Sequence, residues 1–168
     1  MHVDKYERFW IYAVVAVLGV FFAALLVAAF GLGIRLPQPA AILNPLELDQ
    51  TQFSEPGVYQ VGDNEYEVYI VAQMWAFVPN EIHVPAGAKV TFNVASRDVT
   101  HGFYLEDHNI NMEIVPGQIA RATTIVNEAG VYHFICHEYC GRGHHIMHAQ
   151  MIVEDEQTAN TTNPSEES

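Results

Sequence analysis

Apolar and polar positions divide this chain into two regimes. From Phe9 to Ile34 nothing is charged, and the stretch FWIYAVVAVLGVFFAALLVAAFGLGI runs for 26 residues. As a helix rising ~1.5 Å per residue it reaches ~39 Å, enough to cross a bilayer with some tilt. The apolar core of a cleaved signal peptide is only about 7–15 residues, so the length predicts a retained transmembrane helix over 9–34. Trp10 and Tyr12 stand where aromatic rings favour the membrane interface. Lys5 and Arg8 precede the span and Arg35 follows it. That bias places residues 1–8 in the cytoplasm and the remainder outside the cell membrane.

Beyond the span the period changes. Residues 35–64 carry Pro37, Pro39, Pro45, Pro56 and Gly57 and read as a linker. From residue 65 the pattern is that of strands. Tyr66, Val68, Ile70 and Ala72 alternate with Glu65, Glu67 and Tyr69. Glu81–Pro85 and Lys89–Ala95, separated by Ala86-Gly87, read as a hairpin-type unit with Val90, Phe92 and Val94 inward. Ala120–Val126, Val131–Cys136 and Ala149–Val153 complete the series. No long 3.6-residue period occurs after residue 35. Short strands punctuated by glycine and proline predict a mainly β domain, a sandwich or barrel, over 65–153. Residues 154–168 have almost nothing to bury and read as a disordered acidic tail. Asn160-Thr161-Thr162 matches a glycosylation sequon by pattern alone.

Charge narrows the partners. The formal net charge is −13. It is concentrated after the span, where residues 35–153 hold 13 acidic and 5 basic positions and the tail adds five acids. Such a surface argues against nucleic acid, whose phosphates need Lys and Arg. It suits a soluble partner with a basic face. With only two lysines in the chain, Lys5 and Lys89, it also fits a protein that works in high salt.

The chemistry is concentrated in one segment, Cys136-His137-Glu138-Tyr139-Cys140-Gly141-Arg142-Gly143-His144-His145-Ile146-Met147. Soft ligands fall at 136, 140, 144 and 147, and His101 lies upstream in Asp98-Val99-Thr100-His101-Gly102-Phe103. Thiolate with imidazole suits zinc or copper. A Cys₂His₂ zinc site gives Met147 no role, and a mononuclear blue-copper site needs one cysteine, not two. Two copper ions bridged by both thiolates accommodate every residue. Each ion then has two sulfurs, one imidazole and one weak further ligand. Sharing the sulfurs spreads one electron over both metals, which favours fast transfer.

The loop resembles the Cys-x-Glu-x-Cys-Gly-x-x-His-x-x-Met pattern of the dinuclear copper centre in subunit II of cytochrome c oxidase. DVTHGFYLEDHNINMEIVPGQ and the single anchor are similar to the B-type haem–copper oxygen reductases in particular. The resemblance implies a cupredoxin-like Greek-key β-sandwich with the metal site at one end. It implies His101, Cys136, Cys140, His144 and Met147 as side-chain ligands and Glu138 as a carbonyl ligand. In many proteins of this kind the carboxylate at the position of Glu138 also touches a magnesium ion at the boundary with subunit I. The resemblance implies an electron-accepting subunit that passes single electrons from a soluble donor, a cytochrome c or a small blue-copper protein, to haem in subunit I, for oxygen reduction coupled to proton translocation. The catalytic centre proper is then in that other chain. Trp75 is the expected electron-accepting aromatic, with Phe77 next. Asp98 is expected either to orient His101 or to cap its turn. His137, His145 and His148 flank the site, whereas His83, His108 and His133 read as surface or strand residues.

Two other functions fit parts of the pattern. A copper-delivery protein also combines one anchor, a Cys-x-x-x-Cys pair and a distant histidine, but it requires a thioredoxin-like fold with that histidine downstream. A nitric oxide reductase can carry the same copper subunit, and nitrous oxide reductase joins such a domain to a large propeller.

Overall fold

The computed structural model describes residues 4–32 and 39–155. They fall into two compact units, one up to Gln38 and the other from Pro39 onward.

The first unit is helix α1, Lys5–Leu26, continued by a π-helical turn over Val27–Gly31. Asp4 caps it: its carboxylate accepts a hydrogen bond of 2.8 Å from the backbone N–H of Tyr6. The helix begins ahead of Phe9, because charged side chains in the first turn do not prevent helix formation. It is long and apolar enough to cross a membrane, and none of its residues is buried. Ile34, Arg35 and Pro37 lie outside the described residues, as do the sequon and the tail beyond Asp155.

The second unit is a sandwich of two sheets. Its strands are β1 (Ala41–Ile42), β2 (Gly57–Gly62), β3 (Glu65–Gln73), β4 (Ala76–Val78), β5 (Glu81–Pro85) and β6 (Ala88–Ser96). They continue with β7 (His101–Leu105), β8 (Ile110–Ile114), β9 (Gln118–Val126), β10 (Gly130–Ile135) and β11 (His148–Glu154). One sheet runs β1-β9-β6-β3-β2, with β4 paired to β3, and the other runs β5-β11-β10-β7-β8. The alternation read from the sequence supplies the core. Val68, Ile70, Ala72, Val90, Phe92 and Val94 are all fully buried. They meet Phe103, Phe134 and Met151 from the facing sheet. The rings of Phe103 and Phe134 stack at 4.8 Å, and Phe77 meets Phe103 edge-on at 5.5 Å. Such pairs add about 0.5–1.5 kcal/mol each beyond their burial.

Two expectations need correction. β5 and β6 do not form a hairpin: β5 pairs parallel with β11, and β6 pairs parallel with β3 in the opposite sheet. The glycine at the turn, Gly87 with φ +81°, carries the chain from one sheet to the other. Residues 39–62 are also more than a linker. β2 pairs antiparallel with β3. Two short 3₁₀ helices, Pro45–Gln50 and Gln52–Ser54, bring Leu48 and Phe53 over Tyr69, Val71 and Ala95 on the outer face of the first sheet. This small second core explains why β3 is buried on both faces, and the prolines and glycines of the segment concealed it.

Candidate metal centre

The site lies at one end of the main core, where three loops meet. β3–β4 brings Met74 and Trp75, β6–β7 brings Asp98, and β10–β11 brings residues 136–147. The long loop is folded on itself by backbone hydrogen bonds. The N–H of Cys136 donates to the carbonyl of Met147, that of His144 to Gly141, and that of Met147 to His144. Gly141 has φ +122°, where L side chains are strained. A Cβ on Gly141 would stand 2.9 Å from Trp75 Nε1, and one on Gly143 would stand 2.6 Å from Trp75 Cδ2. The two glycines therefore let the loop lie directly against the indole.

Within this frame the donors converge. The sulfurs of Cys136 and Cys140 are 3.8 Å apart, far beyond a disulfide bond of ~2.05 Å, and both thiols are free. Cys136 Sγ lies 3.9 Å from His101 Nδ1 and 3.3 Å from the carbonyl oxygen of Glu138. Cys140 Sγ lies 3.7 Å from His144 Nδ1 and 3.6 Å from Met147 Sδ. Each sulfur thus has its own imidazole and its own weak extra donor. Thiolate bonds of ~2.3 Å and imidazole bonds of ~2.0 Å sum to more than any of the sulfur–sulfur and sulfur–nitrogen separations. One ion can therefore touch both members of each pair, and the soft donor set suits copper. His101, Cys136, Cys140 and Met147 are all at most 3% exposed, so the donors are sheltered from water.

The protein holds these donors from behind. Asp98 Oδ1 accepts from His101 Nε2 at 2.8 Å and from the N–H of Val99 at 2.7 Å, while Oδ2 accepts from the N–H of Met74 at 2.7 Å. Asp98 both orients the imidazole and caps its turn. Burial works to raise the Asp98 carboxyl, but the hydrogen bonds from His101, Met74 and Val99 prevail and hold it below the usual carboxylate range. Burial pushes the Cys140 thiol up to about 11, aided by the neighbouring Cys136. Without a metal the thiol keeps its proton at neutral pH, and metal binding must displace it.

The remaining sequence-derived candidates separate by burial. Trp75 is 42% exposed and lies against the loop, whereas Phe77 is 1% exposed and belongs to the aromatic core. The His137 ring packs on Gly102, and its Nδ1 is 3.5 Å from the Glu138 carboxylate. His83 is bound at both ring nitrogens, by Glu154 at 2.7 Å and Glu81 at 3.1 Å. His108 bonds the carbonyl of Glu106, and His133 bonds its carboxylate. Among the described residues, His101, Cys136 and Cys140 form the one group of three His, Cys or carboxylate donors that converge on a point.

A two-sheet sandwich with a Cys-x-x-x-Cys loop and a facing histidine at one end defines a cupredoxin-like copper domain. The chain belongs to the cytochrome c oxidase subunit II family, whose periplasmic-domain model matches residues 57–155. It is 35% identical over 155 residues to a cytochrome c oxidase subunit 2 of Thermus thermophilus, covering 89% of this chain and 92% of that protein. Its structure is similar to a chain of a haem–copper terminal oxidase dimer solved by cryo-electron microscopy, with a TM-score of 0.63 and 33% identity over 89% of this chain and 100% of the other. The periplasmic domain of subunit II from Bradyrhizobium japonicum shares the fold, with a TM-score of 0.52 at 18% identity over 56% of this chain and 88% of that one. The thioredoxin-like alternative is removed by the sandwich itself, in which the cysteines precede a 3₁₀ turn and His101 lies upstream on β7.

Proposed function

We propose that the chain accepts single electrons into a dinuclear copper centre and passes them to a haem–copper subunit I. One observation carries this reading: the donor set is paired. Two sulfurs 3.8 Å apart each have one imidazole nitrogen and one weak further donor. A single ion leaves half of that set without a purpose, and two ions use all of it. His101, Cys136, Cys140, His144 and Met147 would hold the metals through side chains, and Glu138 through its carbonyl. When bound there, two copper ions would supply a one-electron carrier with the charge spread over both.

The chain's own residues do the rest. The four buried ligands, His101, Cys136, Cys140 and Met147, keep water from most of the site, so little solvent reorganises when charge changes. Asp98 fixes the His101 tautomer from behind, as outer partners of metal-bound histidines commonly do. Trp75 offers a half-exposed ring against the ligand loop and is the position at which a soluble donor, a cytochrome c or a small blue-copper protein, delivers its electron. The half-exposed Glu138 carboxylate is suited to a magnesium ion at the subunit I boundary. Helix α1 anchors the chain with its amino terminus in the cytoplasm, which puts the copper domain on the outer side. Domain limits follow: residues 1–8 inside, a span ending near residue 34, and the copper domain up to Glu154.

Purification of the full chain from its own membranes in mild detergent tests the assignment. Haem-containing subunit I should copurify, and the complex should consume oxygen with a reduced soluble donor. A complex that turns over nitric oxide and not oxygen would transfer the same electron-accepting role to a nitric oxide reductase.

A further inference from the structure

His101, Cys136, Cys140 and Met147 are buried, so copper needs a way in. A groove of about 500 Å³ opens beside the site. Its lining includes the ligands Cys136, His144 and Met147 together with His133, His145 and His148. Three imidazoles in one groove are more than the metal centre uses. Two of them are set with a nitrogen available. The Nδ1 of His148 lies 3.0 Å from the carbonyl oxygen of Ile146, which can only accept, so that nitrogen carries the proton. The Nδ1 of His133 is held in the same way, 3.1 Å from the Glu106 carboxylate. In the neutral ring, Nε2 of each then keeps its lone pair for a metal. His145 is exposed, next to His144 in the loop.

We infer that this histidine-lined groove is the loading route for the metal centre, with His133, His145 and His148 binding inbound cuprous ions transiently and handing them to Cys136, His144 and Met147. This rests on the copper reading of the site. The three imidazoles do not converge on one point, since the one such donor group among the described residues is the buried site itself. Weak one- or two-ligand binding is what a relay requires, because a closed three-ligand site would retain its cargo. The order of ligands also runs the right way, from exposed nitrogen donors to buried sulfur donors, which soft cuprous ion prefers. No electron moves in the transfer. Each thiol that becomes a ligand releases its proton to solvent as its sulfur–copper bond forms.

The test uses the full chain in detergent, produced without copper, mixed anaerobically with cuprous ion as its acetonitrile complex. Uptake is followed by the near-ultraviolet absorption of copper-bound thiolate, and final copper per chain by elemental analysis. The H133Q/H145Q/H148Q variant should reach the wild-type copper content but load about tenfold more slowly, ~1.4 kcal/mol in barrier. His145→Gln alone, a change at an exposed loop position that leaves the fold intact, should slow loading in part. His108→Gln lies outside the groove and should load at the wild-type rate. A triple variant and a His145→Gln variant that both load as fast as wild type would overturn the route while leaving the copper site standing. Slowing by His108→Gln to the same degree would overturn it too. A triple variant with normal melting but less final copper would make these histidines permanent ligands, against the proposal. A wild-type chain that took up no copper at its thiols would overturn the copper reading, and the route with it.

Discussion

His101 donates from Nε2 to Asp98 Oδ1 across 2.8 Å, which leaves its Nδ1 lone pair facing Cys136 Sγ at 3.9 Å. One carboxylate therefore decides which nitrogen of a buried imidazole the metal meets. It also places a fixed negative charge directly behind the proposed centre, where it stabilises the oxidised, more positive state.

Asp98→Asn removes the charge and keeps the contact to the imidazole. The amide oxygen can still accept from His101, so both copper ions should remain bound, while the amide nitrogen in place of Oδ2 gives up the hydrogen bond from the Met74 N–H. Losing the negative charge should raise the reduction potential by tens of millivolts, read by spectroelectrochemical titration. A potential that stays the same or falls would mean that the carboxylate acts on geometry and not on charge.

Trp75 and Gly143 provide a second test. Trp75→Ala should slow electron uptake from the donor while leaving copper content and the spectrum of the centre as in wild type. Gly143→Ala adds a methyl group 2.6 Å from the indole Cδ2 and only 3.0 Å from Trp75 Cβ, so the ring cannot simply swing aside. The φ of Gly143 is −91°, so the cost is steric. Overpacking of this kind costs about 1–3 kcal/mol, and thermal melts should show it. Wild-type melting in Gly143→Ala would show that the loop lifts off the indole at no cost.

The contrast between these residues and the rest of the site marks what the sequence carries. The ligand set is local: five of its six members lie between Cys136 and Met147, so their spacing could be read directly. His101 was a candidate by residue type and was tied to the loop by the resemblance, because sequence distance conceals that β7 lies beside β10. The strands with clean alternation, β3 and β6, were legible, while their partners were not. β5 and β6 are neighbours in sequence with a turn between them, the mark of a hairpin, yet a glycine with positive φ sends them to opposite sheets. Leu48 and Phe53 were hidden because a short 3₁₀ segment has no apolar period to detect. His133 read as bland because it is an ordinary strand residue, and only the fold brings it to one groove with His145 and His148, which the sequence already placed beside the site.

His83 gives the pH dependence of the domain. Hydrogen bonds from its ring to Glu154 and Glu81 raise its pKa above the usual histidine value, in spite of some burial. Hydrogen bonds from His83 and Gln150 lower the pKa of Glu81. The raised histidine contributes stability that is complete below its unfolded pKa of ~6.5 and is lost as pH rises through the folded value. The lowered carboxylate contributes stability that is lost as pH falls through its own folded value. The clamp between β5 and β11 therefore acts in the window between the two. The difference in melting temperature between wild type and His83→Gln should be largest near pH ~6 and shrink toward pH ~9. The groups are half-exposed, so the effect should be small and should weaken in salt. A difference that grows with pH would contradict the assignment.

Metal stoichiometry with electron paramagnetic resonance bears most directly on the paired donor set of Cys136 and Cys140. The full chain purified from membranes should contain two copper ions, and its oxidised form should show one unpaired electron with hyperfine coupling to two equivalent copper nuclei. One copper ion per chain, with the spectrum of an isolated cupric ion, would contradict the bridged centre.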